Sequence, residues 1–258
     1  MGEQFNKISI KNCVGKTLPS KECGDVIILD KVNHDKLKIK FINTGFVDIV
    51  SIYRMRNGNI RDKSLPTVCG IGVLGNKYPS SIDGKPTTEY KLWHRMLQRC
   101  NYDKFHENNP TYENCTVSDN FKDFTYFHEW CNKQIGFGET DFALDKDLLV
   151  KGNKHYSEDT CVFIPIEVNS LLTNCGRKRG KYPVGVSYHK HYNKFISSVS
   201  IQGVRLARLG CFDSAVEAFN VYKQAKESII KERANRWKGW IDDRAYEALM
   251  NYEIDIND

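Results

Sequence analysis

Asp145 and Asn169 stand near the two ends of the segment 142–169, which reads FALDKDLLVKGNKHYSEDTCVFIPIEVN. This pattern predicts a strand, a Gly-Asn loop, a second strand and the start of a helix. An aspartate on a strand and an asparagine on a facing helix can converge on one Mg²⁺ ion and leave most of its shell to water and phosphate. Such an arrangement suits the cleavage of a phosphodiester bond.

Lys146 directly follows Asp145 and is poorly suited to act as a general base. A base must be deprotonated near the working pH, whereas a free lysine is protonated there. The neighbouring Asp145 and Asp147 favour the charged ammonium further. We therefore interpret Lys146 as better suited to gripping a phosphate than to activating water.

Charge is distributed unevenly along the chain of 258 residues, whose formal net charge is +6. Residues 176–238 contain 14 Lys and Arg against 4 Asp and Glu, a local charge of +10, so the remainder sums to −4. A concentrated basic module predicts contact with a phosphate backbone. A basic face that is merely solvated is the alternative.

Cysteine usage and hydropathy indicate the compartment. The nine cysteines include no CxxC pair, so we expect no structural zinc. Their odd number and the absence of an apolar leader favour reduced thiols in the cytoplasm. No apolar run approaches the roughly 20 residues of a membrane span, so no membrane association is expected.

The residue pattern predicts different secondary structure in successive parts of the chain. Residues 25–30, 36–42 and 47–52 read as short strands separated by turn residues, which predicts a small β-barrel-like unit at the N-terminus. A helical pattern begins at Thr88, and its aromatic side chains are interpreted as core packing. These aromatic residues include Phe121, Phe124, Phe127 and Trp130. Residues 183–190, 194–202 and 205–212 read as three strands, followed by a helix with Ser214 as its N-cap.

The line LDKD-GNK-YS-C-FIP-VN within residues 143–169 resembles the HNH, or His-Me finger, nucleases, and more narrowly phage proteins with this line. A helical lead-in strengthens the resemblance, which extends over about residues 15–250. The lead-in comprises W-x2-M-x2-RC (Trp93, Met96, Arg99, Cys100) and F-x2-F-x5-W (Phe121, Phe124, Trp130). The resemblance implies that Asp145 and Asn169 bind one Mg²⁺ or Mn²⁺ ion and that Asn153 braces the loop. It also places Lys146 where the family has its histidine base.

Three interpretations of that departure stay open. His155 or Asp147 can serve as the base in place of Lys146. The metal and the substrate phosphate can activate water by themselves. Alternatively, the module is a relic that binds DNA without cutting it.

The C-terminal strands and helix resemble the DNA-binding domain of plant ethylene-response factors, a module that also occurs beside HNH nucleases. The more specific part is LG-x-F-x-[ST]-x-x-x-A, here Leu209, Gly210, Phe212, Ser214 and Ala218. The resemblance implies that exposed strand residues contact bases and phosphates, because β-strands fit the major groove. We expect these contacts from Tyr188, Lys190, Lys194, Arg205 and Arg208.

The sequence therefore predicts a multi-module α+β protein with four segments. These are a β-rich unit (1–78), a helical lead-in with the ββα metal module (79–178), a three-stranded antiparallel sheet with a helix (179–236) and an acidic tail (237–258). The expected function is a metal-dependent endonuclease that nicks double-stranded DNA, in the manner of a phage homing endonuclease. A catalytically inactive DNA-binding or regulatory phage protein is the alternative. Residues 12–75 are a candidate surface for a protein partner.

Overall fold

The computed structural model describes residues 12–172, 181–201 and 204–257, and side chains at these positions except 201 and 204–206. Helices and several small sheets alternate, which confirms the α+β class. The chain forms two compact units. One contains the described residues up to Glu113 with Asp119–His128, and the other contains Asn114–Ser118 and the described residues from Glu129 onward. The four predicted segments stay a prediction, because one compact unit can hold several functional modules.

The N-terminal strands form an open antiparallel sheet in the order β1 (Thr17–Pro19), β2 (Asp25–Lys31), β3 (Lys36–Phe41) and β4 (Val47–Ser51). The three predicted strands are confirmed, but the barrel-like closure is wrong. Strand β1 is short and ends at Pro19, which has no N–H to donate to a further strand. The inner face is covered by helix α1 (Ile52–Arg56), whose Ile52 and Met55 join the core of the sheet. Because α1 already covers the apolar inner face, the sheet does not need to close into a barrel to bury it.

The rest of the first unit consists of short hairpins and helices. In chain order they are β5 (Pro66–Val68) with β6 (Gly72–Val73), β7 (Ser81–Ile82) with β8 (Lys85–Pro86), α2 (Thr88–Asn101), α3 (Asp103–Asn108), a 3-10 helix (Pro110–Tyr112), α4 (Asp119–Lys122) and α5 (Phe124–Cys131), whose end from Glu129 belongs to the second unit. Trp93 and Phe124 are fully buried, with ring centroids 5.2 Å apart. The Trp93 Nε1–H donates to the Phe121 carbonyl at 2.7 Å. The predicted packing role of these aromatic side chains is confirmed.

The second unit begins with the predicted strand-loop-strand-helix segment. Strand β10 (Phe142–Asp145) pairs antiparallel with β12 (Val162–Pro165), and α6 (Ile166–Leu172) follows immediately. Within the loop, β11 (His155–Tyr156) pairs in parallel with β9 (Thr116–Val117). The four residues of β12 are all buried, as a continuous apolar run in a core strand requires.

A three-stranded antiparallel sheet follows, in the order β13 (Val186–His189), β14 (Lys194–Ile201) and β15 (Val204–Phe212). Helix α7 (Ala215–Arg236) packs on one face of this sheet, where Phe219 and Tyr222 meet Val199. Both the strands and the helix confirm the predicted elements. Ser214 is the N-cap of α7, and its hydroxyl accepts the Glu217 N–H at 3.2 Å.

The C-terminal segment contains a short helix, α8 (Asp243–Met250), which packs against α7 through Ala245 and Leu249. The residues after α8 are packed rather than frayed. Ile254 is buried in the core of the three-stranded sheet and α7, and its N–H donates to Glu227 at 2.8 Å. The acidic segment 237–258 is therefore part of the second unit.

We expect Ser214→Ala to lower the free energy of unfolding by about 1 kcal/mol, because the substitution removes the capping hydroxyl of α7. Urea titration measures this change. Ser228→Ala is the matched control, since Ser228 is exposed in the middle of the same helix. There alanine is the better helix former and stability should be unchanged or slightly higher. An equal loss in both variants would contradict the capping role.

Candidate metal centre and nucleic-acid interface

The two candidate metal ligands lie on elements that pack against each other. Asp145 ends β10, opposite Val162 of β12, and α6 packs on both strands. Asn169 lies on α6 beside Val168, which is fully buried, and is itself half-buried. These core contacts therefore hold α6, which carries Asn169, against the strand that carries Asp145.

The Asp145 carboxylate is held by the backbone that follows it. Its Oδ1 accepts the N–H groups of Asp147 at 2.8 Å and Leu148 at 2.7 Å. Among the described residues, its Oδ2 accepts no hydrogen bond. Burial raises the pKa of Asp145, against the opposing effect of these two backbone hydrogen bonds. The Asp145 carboxylate is held in place through Oδ1, and burial makes its ionisation unfavourable unless a cation is nearby. Both properties suit a ligand of a divalent metal ion.

The Asn153 side chain braces the loop between β10 and β12. Its Nδ2 donates to the carbonyl oxygens of Lys146 at 2.8 Å and His155 at 2.7 Å. Its Oδ1 accepts the His155 N–H at 3.0 Å. One amide thus joins the residue after Asp145 to the start of β11. This geometry matches the role that the family resemblance implies for Asn153.

Lys146 is built into the loop. The residue is only 8% exposed. Its Nζ donates to the Asn153 carbonyl at 2.8 Å and to the Asp147 carboxylate. The same Nζ lies 5.6 Å from the centroid of the Tyr156 ring, within cation–π range. In this conformation the ammonium stabilises the loop, and its protons are directed at protein acceptors rather than at a phosphate.

His155 differs from the other two candidate bases. Asp147 is exposed, but its Oδ1 is bonded to Lys146. The His155 ring is half-buried, with Nδ1 2.8 Å from the Thr116 hydroxyl. Its Nε2 has no partner among the described residues. If Nδ1 donates to Thr116, Nε2 is the unprotonated nitrogen, as a general base requires.

Two interactions at the site escaped the sequence reasoning. Thr116 orients the His155 ring, and Glu167 fixes α6 to α7. The Glu167 carboxylate accepts Nη1 of Arg233 at 3.0 Å and Nε1 of Trp237 at 2.7 Å. These partners lie 39, 66 and 70 residues apart in sequence. No local pattern could reveal them.

Strand pairing divides the predicted DNA contacts between the two faces of the sheet. Lys194 pairs with His189, whereas Tyr188 pairs with Phe195. Paired residues project on the same side, and successive residues alternate. Tyr188 therefore shares the side of Val186, which packs toward α7. Tyr188 and Lys194 thus project from opposite faces of the sheet, and the DNA contacts expected of them stay a prediction.

The face of the sheet opposite α7, here called the outer face, carries Ser187, His189, Lys194, Ile196, Ser198, Arg208 and Cys211 by strand pairing. Lys194 forms an ion pair with Asp213, and both side chains are well exposed. The exposed Arg208 has Nη2 3.3 Å from the Cys211 sulfur. Two cations, one of them paired with Asp213, thus share this face with several small polar side chains.

The remaining predicted contacts have other positions. Lys190 is exposed just after β13, in the turn that leads to β14. Arg205 is opposite Ser200 in the β14–β15 pairing, but its side chain lies outside the described residues. The sequence reasoning missed His189, whose ring stacks on Tyr192 with centroids 4.5 Å apart. Its Nδ1 is buried and has no hydrogen-bond partner among the residues that the structure describes.

Comparison with protein families, curated proteins and solved structures finds no significant match to this chain. Within the described ranges, no cluster of three or more His, Cys, Asp or Glu side chains encloses a metal position. An ion held by Asp145 and Asn169 would therefore take the rest of its ligands from water and phosphate. None of the helices in the described part of the chain has both the length and the apolar character needed to cross a bilayer.

We expect Asn153→Ala to reduce the free energy of unfolding by about 3 kcal/mol, because it removes three hydrogen bonds that fix the loop. Urea titration gives the value. Asn220→Ala is the control, since Asn220 is exposed on α7. A loss of less than about 0.5 kcal/mol at position 153 would show that the loop does not depend on this amide.

Proposed function

We propose that the protein is a metal-dependent DNA endonuclease that nicks duplex DNA, of the phage homing type that the HNH resemblance implies. The observation that carries the proposal is the braced loop. Asn153 holds the chain after Asp145 in place, and α6, with Asn169, packs on the same strand pair. The donor set of one carboxylate and one amide suits a hard ion, Mg²⁺ or Mn²⁺.

Under this proposal each residue has a separate task. Asp145 and Asn169 hold the divalent ion, which when bound polarises the scissile phosphate and stabilises the departing 3′ oxygen. His155 takes the proton of the attacking water at Nε2, while Thr116 keeps its ring oriented. Lys146 keeps the loop rigid through Asn153 and Asp147.

We further propose that the outer face of the three-stranded sheet binds the DNA backbone. Lys194 and Arg208 supply exposed cations, and the flat strand surface suits a groove about 12 Å wide. Lys190 adds a charge in the adjacent turn. The ligand expected under this proposal is double-stranded DNA in the cytoplasm of a host cell.

One observation favours the second candidate function, a DNA-binding or regulatory protein without cleavage. Lys146 occupies the position of the expected base, and its ammonium is bonded inside the loop. A loop stabilised in this way can persist after catalysis is lost, because its brace does not require a metal. Cleavage of DNA distinguishes the two functions.

The purified protein should nick supercoiled plasmid when Mg²⁺ or Mn²⁺ is present and leave it intact in EDTA. Asp145→Ala and Asn169→Ala should abolish nicking because each removes a metal ligand, and His155→Ala should slow it by about 100-fold or more. Agarose gels measure the conversion to open circles.

Asp141→Ala is the matched control for nicking, because Asp141 is an exposed carboxylate just before β10. It should cleave at the rate of the unaltered protein. Plasmid that stays intact with either metal, together with undiminished DNA binding, would eliminate the nuclease and leave the second candidate.

Binding to a mixed-sequence duplex should weaken as salt rises, with log Kobs linear in log salt concentration. Lys194→Ala combined with Arg208→Ala should reduce the magnitude of the slope by about 1.8, since each phosphate contact contributes about 0.9. Fluorescence anisotropy measures the slope. Lys133→Ala with Lys231→Ala removes the same charge at two exposed positions and should leave the slope unchanged. Equal slopes in the two double variants would contradict binding through the outer face.

A further inference from the structure

A row of lysines lies on the N-terminal sheet, far along the sequence from the basic module. Strand β3 reads KLKIKF, and its burial alternates strictly. Leu37, Ile39 and Phe41 are buried in the core, whereas Lys36, Lys38 and Lys40 are exposed. Because alternate residues of a strand project to one side, the three ammonium groups share the outward face of the sheet.

The outward face of this sheet lies opposite the side that α1 covers. Ile52 and Met55 of α1 join the core on the inner face. On the outward face, Lys40 is flanked by Val47, and Lys38 by Ile49, which is 51% exposed. Lysine stems therefore lie beside partly exposed apolar side chains, and the charged ends extend beyond them.

Neither edge protection nor ion pairing explains these lysines. Lysine protects exposed sheet edges, but β3 is hydrogen-bonded on both sides, to β2 and β4. Lysine is also disfavoured in strand interiors. None of the three forms an ion pair with any of the described residues, although Asp30 is paired across from Lys38. Three lysines without an ion pair among the described residues thus lie in a row on β3, with the Asp30 carboxylate opposite the middle one.

We infer that this lysine face of β3 is a second contact surface for the phosphate backbone of DNA. A duplex carries about one negative charge per 1.7 Å of its length, so one polyanion can neutralise all three ammonium groups together. On the β4 side, Val47 and Ile49 provide no side-chain acceptor, whereas on the β2 side Asp30 competes for Lys38. The inference rests on the proposed function, in which the protein binds duplex DNA.

The experiment compares salt slopes of full-length variants on one mixed-sequence duplex of about 30 base pairs. The variant with Lys36→Gln, Lys38→Gln and Lys40→Gln should show a slope smaller in magnitude by up to about 2.7, three times the contribution of one phosphate contact. Arginine at the same three positions should keep the slope, since the charge is retained. Thermal unfolding checks that each variant folds.

The matched control is Lys85→Gln, Lys91→Gln and Lys104→Gln, which removes three exposed charges elsewhere in the first unit. A slope that falls in the β3 variant and not in this control supports the inference. Equal slopes in both variants overturn it. The proposed function survives that result if Lys194 and Arg208 still affect the slope. Absence of any duplex binding at low salt overturns both.

Discussion

The hydrogen bonds of one half-buried amide, that of Asn153, hold together the part of the molecule on which the candidate chemistry depends. Without them the connection from Lys146 to Cys161 would be a long loop with little regular structure. With them, the backbone beside Asp145 and the start of β11 are tied to one point. A loop fixed in this way can hold a carboxylate and an imidazole in a constant arrangement, which is what positioning catalysis requires.

The contacts inside the loop between β10 and β12 also define the role of Lys146. A buried ammonium must be hydrogen-bonded or paired, and Lys146 satisfies this requirement with a carbonyl, a carboxylate and an aromatic ring. The same bonds withdraw Asp147 from competition as a base. The histidine on β11, oriented by a threonine from another strand, is left as the accessible nitrogen. Lys146 thus stabilises the loop, and His155 is the candidate base whose Nε2 has no partner among the described residues.

Local patterns predicted much of the fold because local physics produced it. The alternation of KLKIKF gave a half-buried strand, and Ser214 followed three residues later by Glu217 gave a helix start with both capping bonds. Closure of the N-terminal sheet was not predictable, since the cover that α1 provides depends on tertiary packing. Which face carries Tyr188 was also not predictable from the sequence, because a face is defined by which strand positions pair and by where α7 packs.

The sequence by itself determined the order of elements in the ββα segment, the identity of its candidate ligands and the charge of the C-terminal module, because these follow from residue types at short spacing. Only the tertiary structure decided that Lys146 is bonded inside the loop, that Thr116 orients His155 and that Glu167 anchors α6 to α7. It also decided which lysines share a face. Each of these contacts joins residues whose side chains meet only after the chain has folded, so short-range patterns carry no record of them.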